Sequence, residues 1–390
     1  MFFVDKPYVS DFFKKTVRDN DIPVVGTKAA QQLDLYDGTT VISETSAIEM
    51  VREVENLPIY TTSENAIGWI AKYLPFSDLP EKIELFKDKL KFRQLTKSIF
   101  PNFYFQGISI NELKNVQFEQ LPLPFIIKPT VGFMSMGVYK VATYAEWIDT
   151  IASITAEIDQ IKNLYPDSVL NTSSFIIEQC INGEEFAVDA YYNSAGEAVV
   201  LSILKHVFSS DADVSDRVYV TSKDIIENNL AEFTEFAGKI GRLARVKNFP
   251  VHIELRRDSD GTLLPIEVNP MRFGGWCTTA DISFLAYGFN PYLYYYNQQK
   301  PDWSQLLRGK ERKLFSVVVL DNSTGVEISK IKSFDYDKLL AKFKQPLELR
   351  KIDFQQYPVF GFLFTETAAD NFVELQNILD SDLREYITIA

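Results

Sequence analysis

Apolar positions along this chain follow two rhythms that alternate from the first residue. Met1–Val4 and Ile22–Val25 are short apolar runs, and between them Tyr8–Arg18 carries Phe12, Phe13 and Val17 at helical spacing. The pattern continues through Val41–Ser43, a helix over Ser46–Val54 with Ser43 or Thr45 as its cap, and Ile59–Thr61. Residues 1–86 therefore predict a short α/β domain. A lysine-rich helix containing Asp88 and Lys89 is expected over Leu79–Ser98, followed by a turn and short strand at Pro101–Phe105.

The stretch Phe125–Val141, FIIKPTVGFMSMGVYKV, breaks the alternation. Apolar Phe125–Ile127 leads to Lys128, then to a loop with Gly132 and Gly137, then to a second apolar run at Val138–Val141. Strand, loop, strand predicts a hairpin, whereas a Walker P-loop runs strand, loop, helix and needs a GxxxxGK[ST] spacing that is absent here. No GxGxxG follows the first strand either, which argues against a dinucleotide fold.

Beyond the hairpin, Tyr144–Leu164 predicts a helix with Trp147, Ile148, Ile151, Ile154, Ile158 and Ile161 toward the core. Ser174–Tyr192 predicts two strands broken at Asn182 and Gly183, and Ala198–Phe208 another. Asp211–Asp216 is an acidic loop, and Ser222–Val246 one long amphipathic helix. The strands Val251–Arg256 and Leu263–Val268 flank the turn at Asp258–Gly261 and should pair antiparallel. Thr278–Tyr287 predicts a helix, and Lys313–Leu320 opens a final β-α-β portion over 311–390.

Composition narrows the partners. A formal net charge of -13 over 390 residues, with no basic tract, argues against non-specific nucleic-acid binding, so an anionic ligand must meet local positive charge. No apolar run reaches the ~18 residues of a membrane helix, and the start lacks a basic flank before an apolar stretch, so the expected location is the cytoplasm. Two cysteines far apart, Cys180 and Cys277, lack metal-ligand spacing and suit free thiols.

Lys128 at the end of an apolar strand either snorkels to water or faces an anion, and Gly132 and Gly137 leave room for backbone amides to approach phosphates. On its own the segment reads equally well as a surface hairpin. Glu254 and Glu267 on paired strands can point at one spot, with Asn269 on the same face. Opposed acids repel unless a cation lies between them, and two carboxylates with one amide suit magnesium. Glu178 and Glu185 taken singly read as solvated strand acids, and His206 and His252 as packed or hydrogen-bonded residues. The tyrosines at 292 and 294–296 suit a domain interface, and Cys180 a small core position.

In order, the Lys128 hairpin, Glu178-Gln179-Cys180-Ile181, Gly183-Glu184-Glu185-Phe186, VHIEL and PIEVNPMRFGG resemble the ATP-grasp superfamily of carboxylate-amine and carboxylate-thiol ligases, over roughly residues 87–290. The strongest element, EVNPMRFGG, departs from the family's Glu-x-Asn-Pro-Arg pattern by placing Met271 before Arg272. The resemblance implies an α/β (α+β) architecture: an ATP-grasp domain over 87–310, with a lid subdomain at about 125–195, clamps the nucleotide between two α+β subdomains. A short preceding domain over 1–86 and an α/β portion over 311–390 complete it.

It also implies roles. Lys89 and Lys128 would contact the phosphates, and Gly132, Ser135, Met136 and Gly137 would cover them. Glu178 with the backbone of Cys180 and Ile181 would meet the adenine edge, and Glu185 the ribose hydroxyls. Glu254, Glu267 and Asn269 would hold Mg2+, with Mn2+ as an alternative. Arg272 would hold the carboxylate or the acyl phosphate, with Arg256 and Arg217 as further candidates. The implied activity joins a small carboxylate to an amine, amino acids among them, at the expense of ATP. A phosphotransferase of the same fold and a non-catalytic ATP-binding module are the rival readings.

Overall fold

The computed structural model describes residues 1–132, 137–161, 173–210 and 215–389, with side chains of 157–161 left aside. Four very short strands, β1 (Phe2–Phe3), β2 (Val24–Val25), β3 (Val41–Ile42) and β4 (Tyr60–Thr61), form a parallel sheet in the order β3-β2-β1-β4. Helices α1 (Asp11–Asp19) and α2 (Glu44–Glu53) supply crossovers, capped by the hydroxyls of Ser10 and Ser43. Phe2, Phe13 and Tyr60 are buried and make an aromatic core with Tyr292 and Tyr295, while buried Phe3 packs against Trp69. The 291–296 helix thus fastens the N-terminal sheet to the rest of the chain. Tyr295 Oη donates to Ile59 O (2.8 Å) and accepts from Ile59 N (3.0 Å).

The helix expected over Leu79–Ser98 is two helices following α3 (Ile67–Tyr73): α4 (Leu79–Lys87) and α5 (Lys89–Thr96). Asp88 breaks the run with extended backbone (ψ 108°), and its carboxylate accepts from Leu90 N and Lys91 N, capping α5. Helical periodicity does not register such a break, because apolar spacing survives it.

A four-stranded antiparallel sheet follows, in the order β5-β8-β6-β7, from β5 (Phe105–Ser109), β6 (Phe125–Pro129), β7 (Tyr139–Val141) and β8 (Ser174–Gln179). Helix α6 (Tyr144–Ile161) packs on it through Trp147, Ile151 and Ile154, but Ile148 is exposed because it lies off that stripe; Ile158 and Ile161 fall outside the described side chains. This sheet ends at Gln179, so residues 184–192, expected within the lid, belong to the next sheet.

That sheet has eight antiparallel strands: β9 (Glu184–Tyr192), β10 (Ala198–Val207), β11 (Val218–Ser222), β12 (Phe249–Arg257), β13 (Leu263–Pro270), β14 (Lys313–Asp321), β16 (Pro346–Lys351) and β17 (Val359–Ala368), ordered β13-β12-β9-β10-β11-β14-β17-β16. The expected β-α-β ending is instead an antiparallel extension of this sheet by β14, β17 and β16, with β15 (Ile331–Phe334) and β18 (Ile387–Ile389) paired beside it. Apolar runs buried on both faces cannot tell parallel from antiparallel partners. Helix α7 (Lys223–Ala244) covers one face: Phe186 stacks edge-on to Phe233, and Tyr192 Oη bonds Ala237 O at 2.9 Å. The opposite face carries the polar side chains, with α8 (Thr278–Tyr287) and α9 (Pro291–Tyr296) packed farther along it.

Candidate active site

Strand alternation sorts β12 into two sets. Val251, Ile253 and Leu255 are buried on the α7 side, whereas His252, Glu254 and Arg256 face the other way. Three cross-strand rungs result: Glu185 opposite Arg256, Ala187 opposite Glu254 opposite Glu267, and Asp189 opposite His252 opposite Asn269. A bulge after Glu254 shifts the register by one residue, from Glu254↔Glu267 to Leu255↔Pro265.

The middle rung puts like charges directly across from one another. Asn269 Nδ2 donates to Glu254 Oε1 (3.3 Å) and to Glu267 Oε1 (3.1 Å), so both carboxylates converge on a single nitrogen. Lys89 Nζ lies 3.0 Å from Glu267 Oε2 and donates to Gly132 O at 3.2 Å, while its own amide donates to Thr130 O. For Glu267, burial would raise the carboxyl, but Lys89 and then Lys128 overcome it and hold it below the ordinary range. Glu254 is pushed well above that range by burial and then by Glu267. His252 Nε2 lies 3.7 Å from Glu254 Oε1.

The smaller sheet and helix α5 supply cations. Lys128 Nζ contacts Glu178 Oε1 at 2.5 Å, and Arg93 Nε meets Glu178 Oε2 at 2.7 Å, all three side chains being almost fully buried. Glu178 is thus not a solvated strand acid: it is buried and both its oxygens are engaged by cations. Burial would raise its carboxyl, but Arg93 and then Lys128 bring it down to about 2. Lys128 is itself lowered by burial, with Glu178 opposing. Arg93 also donates to Pro265 O and Ile266 O, tying α5 to β13 at the bulge.

The segment between the sheets is the third part. Cys180 N donates to Pro124 O (3.3 Å), and Ile181 O accepts from Arg256 Nη1 (2.7 Å). Gly183 has φ +99°, and a Cβ there would come within 1.9 Å of Arg257 O, so only glycine lets the chain cross here. Glu185 takes Arg256 Nε at 2.8 Å and His206 Nδ1 at 3.0 Å, which places Arg256 beside Glu185 and away from the acid pair. His206 also reaches Ser215 O (2.9 Å), and His252 Nδ1 bonds Asp189 Oδ1 (2.8 Å), so both histidines are hydrogen-bonded within the sheet.

Arg272 follows Met271, whose left-handed backbone (φ +64°) absorbs the extra residue and turns Arg272 toward Glu64 Oε1 at 2.7 Å. Arg217 goes elsewhere. It is buried against Asp321 (2.8 Å), Ser323 and the carbonyls of Ile378 and Ser381, a structural anchor for the C-terminal strands. Its position after an acidic loop gave no hint of that partner, which is distant in sequence. Gly132 and Gly137 flank the loop, while Ser135 and Met136 lie outside the described residues.

Sequence reasoning missed Arg93, Glu64 and Lys87. Arg93 could have been suspected, because Lys89, Arg93 and Thr96 share the buried face of α5 with Phe92. Glu64 carries no local signal.

Among the described residues, no group of three or more His, Cys, Asp or Glu side chains is arranged to hold a metal ion. The set here is two carboxylates and an amide, and it fits a divalent cation on charge: Glu254 is disfavoured as an anion, and a cation would relieve that.

Residues 121–280 match the family model described as an ATP-grasp domain. No curated protein matches the sequence. Among solved structures, L-amino acid ligase from Bacillus licheniformis superposes with TM-score 0.69 at 18% identity, covering 100% of this chain and 98% of that one. Biotin carboxylase from Campylobacter jejuni gives 0.63 at 11% (100% and 92%). Phosphoribosylglycinamide synthetase from Anaerococcus prevotii gives 0.59 at 16% (100% and 98%). At these identities the likeness is one of fold.

Proposed function

We propose that the chain is a member of the ATP-grasp superfamily, a reading supported by the family-model match over residues 121–280 and the fold likeness, and that it is an ATP- and Mg2+-dependent ligase that forms an amide or peptide bond and releases ADP and phosphate. The observation that carries this reading is Lys89: one ammonium group touches both the carbonyl of the glycine loop and the carboxylate of the acid pair. A nucleotide between the two sheets would have its phosphates at that meeting point. The fold likeness to an L-amino acid ligase supports amino acids as substrates.

In the proposed reaction, a substrate carboxylate oxygen attacks the γ-phosphorus and ADP leaves. The amine nitrogen then attacks the acyl carbon, phosphate departs, and the ammonium proton is lost. Lys89 and Lys128 would exchange Glu267 and Glu178 for phosphate oxygens, offsetting the repulsion of an acidic chain. Glu254, Glu267 and Asn269 would hold the magnesium, which when bound supplies charge neutralisation to the transferring phosphoryl group. Glu185 would accept both ribose hydroxyls, and the backbone of Cys180 and Ile181 would face the base. Arg272 would hold the substrate carboxylate or the acyl phosphate. Residues 1–86 are proposed as the domain preceding the grasp.

The test is phosphate release from MgATP across a panel of amino acids and small carboxylates, singly and in pairs. Release that requires both an acid and an amine, with the coupled product seen by mass spectrometry, supports the ligase. Transfer of phosphate to a single stable acceptor would replace it with a phosphotransferase. Nucleotide binding with no release for any pair would replace it with a binding module.

A further inference from the structure

The strand end β4 and the turn after it hold three consecutive residues of the loop that follows β13. Thr61 N and Oγ1 donate to Met271 O (2.8 and 3.3 Å), Glu64 Oε1 accepts from Arg272 Nη2 (2.7 Å), and Tyr60 Oη accepts from Phe273 N (3.3 Å). Met271 N is held from the other side by Pro250 O (2.8 Å). Glu64 opens a single helical turn capped by Ser63. Its second oxygen takes Lys87 Nζ at 2.6 Å, and Lys87 stands two residues before Lys89. All three charged side chains are mostly buried, at 11–15% exposure, so the pairs are little screened. Burial would raise the Glu64 carboxyl, but Arg272 and then Lys87 hold it at about 2, so it is ionised throughout the physiological range.

We infer that Glu64 is a positioning residue for Arg272, by which the N-terminal domain sets the aim of the arginine displaced by Met271. The inference rests on the proposed role of Arg272 at the transferring phosphoryl or acyl group. An arginine on a loop has many rotamers, and its use in a transition state depends on having one of them fixed beforehand. Glu64 takes Arg272 Nη2 and Phe273 O accepts from Nη1 (2.9 Å), which fixes the guanidinium plane and leaves the donors not used in these two bonds to a substrate. Lys87 shares the negative charge, so Arg272 is oriented without being neutralised outright.

The experiment measures the affinity of the full chain for MgADP alone and for MgADP with aluminium fluoride, a mimic of the transferring phosphoryl group, by calorimetry. In the wild type the fluoride should tighten binding roughly 10²-fold. Glu64→Gln should lose most of that gain while MgADP alone binds within about two-fold, and Glu64→Asp should recover part of it. Glu64→Gln combined with Lys87→Met keeps the local charge balanced and guards against a fold defect; it should lose the gain as well. Arg272→Lys separates the two ideas. If it loses the gain and both Glu64→Gln chains keep it, the positioning role is overturned. If Arg272→Lys itself keeps the gain, the assignment of Arg272 fails, and the inference with it.

Discussion

Two charged clusters face each other across the interval between the sheets, and they are built on opposite plans. On the smaller sheet a single carboxylate, Glu178, lies between two cations, Lys128 and Arg93. On the larger sheet two carboxylates, Glu254 and Glu267, share one lysine and one amide. The first cluster carries an excess of positive charge and the second an excess of negative charge, and Lys89, through Gly132 and Glu267, and Arg93, through Glu178 and the carbonyls of Pro265 and Ile266, bridge the two sides. The excess positive charge suits a polyanion and the excess negative charge suits a metal ion, which is what MgATP combines. The clusters also differ in cost: Glu178 is comfortable as an anion, at about 2, while Glu254 is driven well above its ordinary range by burial and Glu267.

The largest expected effect comes from the acid pair. Glu267→Gln should cut phosphate release about 10³-fold, the scale of losing one preorganised electrostatic element. Undiminished release would remove the acid pair from the reaction.

Glu178→Gln should act on stability instead, costing about 3–5 kcal/mol in denaturant unfolding, because two buried cations lose their partner. The cost depends on pH. The folded carboxyl sits at about 2, below its unfolded value, so its contribution is fully present above the unfolded pKa and is lost as pH falls from there through about 2. The stability gap between wild type and Glu178→Gln should therefore close in acid, and a gap constant over that range would mean that the triad is not ionic.

Added Mg2+ with a non-hydrolysable ATP analogue should raise the unfolding free energy by about 2.7 kcal/mol at a hundredfold excess over Kd, and chelation should reverse it. In Glu254→Gln the magnesium-dependent part of the thermal shift should vanish. If it persists, the cation binds elsewhere.

Arg217→Lys should have the smallest effect on turnover, within about two-fold, while lowering stability through the lost Asp321 and carbonyl contacts. A large loss of activity with unchanged stability would return Arg217 to the site.

Much of the site was legible in the sequence because it lies on strands. The alternation in VHIEL and PIEVN places Glu267 with Asn269 on one face and Glu254 on one face of its own strand, but the turn at Asp258–Gly261 sets a register, Leu255↔Pro265, that would leave Glu254 opposite Ile266, and only the bulge after Glu254 brings Glu254 opposite Glu267. Thr278–Tyr287 came out at the expected residues, and the long helix over Ser222–Val246 to within two residues at its C-terminal end. Partners of side chains were another matter. Glu178 looked like a solvated acid or an adenine contact, and only packing shows it between Lys128 and Arg93, the latter 85 residues away. Strand alternation with Glu254 nominates Arg256, and a place after the acidic loop nominates Arg217, beside Arg272, yet the three arginines end in three places.

The sequence by itself determined which residues face the same side of each element, since a backbone's period is local and survives any arrangement of its neighbours. It also determined where the chain must turn, as at Gly183, where φ is positive. Only the tertiary structure decided which charges meet. Glu64 and Arg272 are 208 residues apart, and nothing in the sequence around either one encodes the other. An ion pair depends on a few ångströms of separation in a desolvated place, and that separation exists only after the N-terminal sheet has docked against the loop following β13.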